Sequence, residues 1–157
     1  MLPEGYETDS VVQLETNLDD VTAETLGHVS ERLRESGALD VWLTPIQMKK
    51  HRPGVLLAIL CERDKVEIMS NLVFRETGAF GLRISEVTRL KLRRDFINVE
   101  TIYGPITVKR GFRGKELLQL APEFESCRAL SIASGQPLQR IYDAARNAAT
   151  RLYPPLP

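Results

Sequence analysis

A chain of 157 residues, 43% of them apolar, is long enough for one domain with a proper core, or for one domain and a small appendage. Lys+Arg and Asp+Glu each number 21, so the formal net charge is zero. No global field draws the protein to nucleic acid or to an anionic membrane, and any anion site must be local.

The longest apolar run, Val55 to Cys61, is too short to span a bilayer, and the N-terminus reads as no signal peptide. Cys61 and Cys127 lack the spacing of a metal knuckle or a redox pair, so both read as core thiols of a cytoplasmic protein.

Residues 1–10 are polar and turn-rich and read as a flexible N-terminal segment. Val11 to Leu18 alternates as a strand and is interrupted by Asp19-Asp20. From Thr22 the spacing becomes helical, with Leu26, Val29 and Leu33 on one face, and Ser36-Gly37 ends the helix. A hairpin follows, with strands near 38–48 and 54–62; its first strand puts Leu39, Val41 and Leu43 on the apolar face and Trp42 on the other. Asp64 caps a second helix with Val66, Met69, Leu72 and Val73 inward, closed by Gly78. A long strand from Phe80 to Lys91 is broken by Arg93-Arg94-Asp95. Phe96 to Tyr103, Ile106 to Phe112 and Glu116 to Ala121 then read as a meander. Pro122 stands at the first turn of the next helix, and two helices, near 122–134 and 137–151, complete the chain.

The first half therefore runs strand, helix, strand, strand, helix, strand. That order predicts an α+β fold, the ferredoxin-like split βαβ antiparallel sheet, over residues 11–98. Residues 99–157 add a β-meander and a two-helix extension, either on the same sheet or as a companion lobe.

Three clusters carry chemical interest. Glu15, Asp19 and Asp20, in ETNLDD, gather carboxylates at a strand-to-helix junction. Such oxygens suit a hard divalent cation such as magnesium or manganese, although one of the two aspartates would also serve as a helix cap. Lys49, Lys50 and Arg52, with His51 between them, concentrate cations at a Pro-Gly turn. Cations crowded there repel one another until an anion arrives, and phosphate is the commonest candidate; a solvated basic turn is the plain alternative. Arg75, Glu76, Thr77, Gly78, Phe80, Gly81 and Arg83, in RETGAFGLR, include small residues that allow close backbone approach to a ligand and two arginines within reach of a phosphate; a capping turn with a solvated arginine is the plain alternative. The split βαβ order suggests that the hairpin turn lies at the opposite end of the sheet from the exit of the first strand. The acidic and basic clusters would then come together only if the basic part of the second strand curls back, or across a subunit interface.

Trp42 reads as packing or as a base-stacking surface, and His28 as a surface imidazole. No P-loop, GxGxxG, HExxH or Ser-His-Asp spacing is present, and no catalytic nucleophile stands out. RNA binding, a frequent task of this fold, is disfavoured by the neutral charge and the lack of paired aromatics on a central strand.

The runs ETNLDDVTAETLGHV, GALDVWLTPIQMKKHRPG, RETGAFGLR and APEFESCRALSIASGQPLQRIYDAA resemble the C-terminal domain of the LarC family of nickel insertion proteins. The resemblance covers about Val11 to Ala148. It implies a ferredoxin-like homo-oligomer, a trimer or hexamer, with a pocket for CTP and a divalent metal, Mn or Mg. It further implies a CTP-dependent cyclometallase in which nickel is inserted into a pyridinium bis-thiocarboxylate mononucleotide. An N-terminal nickel-handling region of the full-length protein is the implied partner. On this resemblance Asp19 and Asp20, with Glu15, suit the metal on the triphosphate. Lys49, Lys50 and Arg52, with Arg75, Thr77 and Arg83, suit the nucleotide. The alternative is a ligand-sensing or oligomerising module without catalysis of its own.

Overall fold

The computed structural model describes residues 3–154, which form two compact units, one of residues 8–89 and one built mainly from residues 90 onward. In the first unit the elements are β1 (Glu7–Leu18), α1 (Ala23–Glu35), β2 (Asp40–Gln47), β3 (Pro53–Cys61), α2 (Val66–Thr77) and β4 (Arg83–Lys91). The strand order β2-β3-β1-β4 is that of the split βαβ fold.

Alternation along β1 decides what is buried. Val12, Leu14 and Leu18 point to the helices, and β3 answers with Leu57, Ile59 and Cys61 in the same core. Leu26, Val29 and Leu33 of α1 and Met69, Leu72 and Val73 of α2 recur at helical spacing and close that core from one side. The edge strand β2 contributes only Val41. Leu39 and Leu43, which alternation places on the same face, remain exposed because an edge strand has a neighbour on one side only.

The second unit contains the meander β5 (Arg93–Thr101), β6 (Gly104–Arg113) and β7 (Glu116–Pro122), in that spatial order, with α3 (Phe124–Ser134) and α4 (Leu138–Leu152). Its core is separate: Val99, Ile106 and Val108 from the sheet meet Cys127 of α3 and Ile141, Ala145 and Ala149 of α4. The meander is therefore a sheet of its own and does not extend the first.

Several boundaries differ from the sequence reading. β1 begins at Glu7, inside the stretch read as loose. Arg93-Arg94-Asp95 opens β5 where a break was expected, because the strand pairs in register from Arg93 onto Phe112. Pro122 closes β7, paired with Val108, and Glu123 precedes α3. Asp64 lies in a short 3₁₀ turn, Arg63–Lys65, ahead of α2. Phe80 lies in a loop, and β4 starts three residues later. Both cysteines are buried and free. Burial raises both thiol pKa values, which keeps these groups protonated and inert. Among the described residues no helix is long and apolar enough to cross a membrane.

Candidate functional site

Two strands that are each antiparallel to a third run parallel to one another. β1 and β2 both pair antiparallel with β3, and the registers Leu18↔Val55 and Gln47↔Pro53 put the exit of β1 beside the β2–β3 turn. The expectation that these features lie at opposite ends of the sheet is thus corrected. The acidic junction and the basic turn share one end of one sheet within a single chain. Arg52 shows the proximity directly, its Nη1 standing 3.3 Å from Asp19 Oδ2.

The start of β4 reaches the same end. Arg83 donates from Nη2 to Asn17 Oδ1 at 2.9 Å and from Nε to Glu15 Oε2 at 3.3 Å. The loop before it, with Gly78, Phe80 and Gly81, lines a cavity of about 380 Å³ together with Thr16, Asn17, Asp19, Asp20 and Arg83. Thr16 is buried, and its hydroxyl donates to the Gly81 carbonyl at 2.9 Å, tying β1 to that loop. This contact and the one from Asn17 carry no periodic signal in the sequence, because both depend on which strands are neighbours.

The helix-cap reading of Asp19 and Asp20 does not hold. Thr22 is the N-cap of α1, its hydroxyl accepting from the Thr25 N–H at 3.2 Å. Asp19 pairs with Arg52, and Asp20 makes no hydrogen bond or ion pair to another described residue. Among the described residues no three His, Cys, Asp or Glu side chains are grouped to hold a metal. Glu15, engaged by Arg83 and by Gln13 at 2.9 Å, does not complete a carboxylate cage with Asp19 and Asp20. Two carboxylates remain at the cavity. That is a fitting donor set for a hard cation that takes its other oxygens from phosphates and water.

The basic turn is built under strain. Lys50 and His51 have φ of 58° and 57°, the left-handed region that suits glycine and costs a lysine or histidine about 1–2 kcal/mol. Met48 N–H donates to the Arg52 carbonyl at 2.8 Å, closing the turn. The side chains of Lys49 and Lys50 are exposed and make no hydrogen bond or ion pair among the described residues. Below the turn, Gly54 is required by close approach: a Cβ there would stand 2.8 Å from the Leu18 carbonyl oxygen and 2.6 Å from Met48 S. Gly54 thus lets the hairpin base press against the residue that immediately precedes Asp19.

Two predicted site residues fall elsewhere in function or in place. Thr77 is buried and donates its hydroxyl to the Val73 carbonyl, and the same oxygen accepts from the Ala79 N–H, so it terminates α2. Arg75 lines a different cavity on the helices, with Arg32, Ser36, Ile68, Asn71 and Leu72. Trp42 sits on the sheet face opposite the helices, opposite Ala58, and is not among the residues lining the Asp19–Arg83 cavity. His28 is exposed, with Nε2 3.9 Å from Glu76.

With this geometry in place, comparison with known proteins is informative. The family model described as "Nickel insertion protein" matches residues 1–142. A putative nickel insertion protein of Syntrophotalea carbinolica is 47% identical over 91% of this chain, which covers 36% of that protein. The pyridinium-3,5-bisthiocarboxylic acid mononucleotide nickel insertion protein of Acetivibrio thermocellus is 41% identical over 89% of this chain and 34% of its own length. A solved apo structure of LarC2, the C-terminal domain of a cyclometallase involved in the synthesis of the NPN cofactor of lactate racemase, superposes with a TM-score of 0.87. It is 36% identical, covering 91% of this chain and 99% of LarC2. The chain spans about a third of the length of the curated relatives it matches. On these grounds the chain belongs to the nickel insertion protein family and corresponds to the LarC C-terminal domain.

Proposed function

We propose that this chain is the CTP- and divalent-metal-binding part of a CTP-dependent nickel insertase that makes the nickel-pincer nucleotide cofactor. The observation that carries the reading is the convergence of three chemically distinct clusters at one end of one sheet. Lys49, Lys50 and Arg52 present cations from a strained turn, Asp19 and Asp20 present carboxylates from the β1 exit, and Arg83 is braced by Glu15 and Asn17.

Each residue then has a task. The ammonium groups of Lys49 and Lys50 have no partner among the described residues and gain most from a polyphosphate, with which charged hydrogen bonds are about twice as strong as neutral ones. Arg52 bridges the basic and acidic groups, so an incoming phosphate competes with Asp19 for its guanidinium. Asp19 and Asp20 would hold manganese or magnesium, whose contribution is to neutralise and orient phosphate oxygens. Glu15 orients Arg83 and stays off the metal. Nickel enters this scheme as the substrate metal, and the pyridinium bis-thiocarboxylate mononucleotide as its acceptor. Both are tasks of the longer protein, with its N-terminal region and a homo-oligomeric assembly.

Calorimetric titration of Lys50→Ala and Asp20→Ala with Mn–CTP tests the assignment. Each loses about tenfold or more in affinity, the loss expected for one charge-assisted contact. Parent-like affinity in both variants contradicts it.

A further inference from the structure

Beside this cavity the chain leaves one large apolar side chain uncovered. Phe80 is fully exposed, with a relative accessibility of 105%. Its loop is nonetheless held on both sides. Upstream, Gly78 takes φ 68°, the Ala79 N–H donates to Thr77 Oγ1 at 3.2 Å, and Ala79 packs on the core. Downstream, Leu82 packs on the same core and the Gly81 carbonyl accepts from buried Thr16. A loop anchored at Ala79 and at Gly81 displays the residue between them by construction. That residue lines the cavity that also contains Asp19, Asp20 and Arg83.

We propose that Phe80 is the stacking platform for the planar heteroaromatic ring of the bound ligand, which rests on reading this cavity as the nucleotide site. The other polar features here are suited to phosphate and metal, and none is an apolar surface for a ring. The cavity volume, about 380 Å³, falls in the range of small-ligand pockets. A phenyl face accepts any flat heterocycle without hydrogen-bond matching, and it attracts an electron-poor or cationic ring by its quadrupole. Two rings share that chemistry: the pyrimidine of the nucleoside triphosphate and the pyridinium of the nucleotide to be metallated. Trp42, the other candidate platform, lies outside the lining of this cavity.

The test titrates the parent chain, Phe80→Ala and Phe80→Trp with three probes: Mn–CTP, Mn–tripolyphosphate and nicotinic acid mononucleotide. Phe80→Ala weakens the ring-bearing ligand by about tenfold and leaves tripolyphosphate unchanged, while Phe80→Trp keeps the parent affinity. In a Trp42→Phe background the new indole is quenched by that same ligand. Loss and quenching with CTP identify the pyrimidine as the stacked ring; loss and quenching with nicotinic acid mononucleotide alone identify the pyridinium. Unchanged affinity for both ring-bearing probes in Phe80→Ala overturns the proposal. So does an equal loss for tripolyphosphate, or a change in sedimentation with all affinities intact, which makes Phe80 a contact between copies. A parent chain that binds tripolyphosphate but prefers neither ring overturns the platform alone. A parent chain that binds none of the probes overturns the nucleotide-site reading, and the platform with it.

Discussion

The two units differ in where their unpaired charge is gathered. In the unit beginning at Leu90, several cations are matched internally, while Arg94, Lys115 and Arg151 are exposed and make no hydrogen bond or ion pair among the described residues. Arg110 clasps Asp95 with two hydrogen bonds of 2.6 and 2.9 Å and lies 4.8 Å from the Tyr153 ring. Arg93 stands over Phe112 at 4.2 Å, Lys109 meets Glu123 at 2.8 Å, and Arg113 pairs with Glu116. The unit of residues 8–89 also pairs most of its arginines, yet Lys49, Lys50 and Asp20 make no hydrogen bond or ion pair among the described residues, and Lys50 and His51 sit in strained backbone at the same sheet end. Paired charge at a surface adds little to stability and asks nothing of a ligand. Unpaired charge on a strained turn becomes favourable when a ligand supplies the counter-charge. The contrast supports the binding role proposed for the first unit.

The largest effect expected from breaking this contrast is on stability. Ile106→Ala empties a fully buried position of the second core and costs about 2–5 kcal/mol in denaturant unfolding. Mn–CTP affinity, measured where the variant is still folded, remains that of the parent.

Gly54→Ala acts in the unit of residues 8–89. Its new methyl collides with the Leu18 carbonyl, a backbone atom that cannot swing aside, so the hairpin and the β1 exit must separate. A stability loss of about 1–3 kcal/mol, of the size of other local strain terms, is accompanied by weakened Mn–CTP binding. Stability loss with intact binding would detach the close approach from the site.

Lys50→Gly separates stability from binding in the other direction. Glycine relieves the positive φ and removes the ammonium, so thermal unfolding rises by the equivalent of up to about 1 kcal/mol while CTP affinity falls.

The smallest effect is electrostatic. The hydrogen bond from Arg110 holds the Asp95 carboxyl below the usual carboxylate range. A depressed folded-state pKa gives stability that is present above the unfolded-state value and lost as pH falls through the folded one. Thermal melts from neutral pH downward therefore stay level until about pH 4 and then decline, and Asp95→Asn flattens part of that decline.

Much of this arrangement can be read from residue order. The period-2 run to Leu18 and the 3.6-period faces Leu26, Val29, Leu33 and Met69, Leu72, Val73 point inward as their spacing says, and together they give the split βαβ unit. The α4 stripe through Ile141 and Ala145 behaves likewise. Surface edges are less legible: Leu39 and Leu43 look like core by alternation and lie exposed, since alternation cannot tell an edge strand from a central one.

For the candidate site, residue types pointed to carboxylates and cations, and the geometry adds their meeting at one sheet end. That meeting follows from β1 and β2 running parallel, which strand order alone implies once both are paired to β3. Thr77 and Arg75 neighbour the cavity in sequence but are not among the residues that line it. A helix end spends its hydroxyl on its own carbonyls, and an arginine two residues earlier points to a different side of the helix. Phe80 had a signal available, an aromatic flanked within two residues by Gly78 and Gly81, which is poor strand sequence and good display sequence.

The measurement that tests the central claim most directly is calorimetric titration of this chain with CTP, ATP and GTP, each with manganese. Saturable binding with a clear preference for CTP is the predicted result. Absence of binding to all three, or equal binding without regard to the base, would contradict a CTP site at the shared end of β1, the β2–β3 turn and β4.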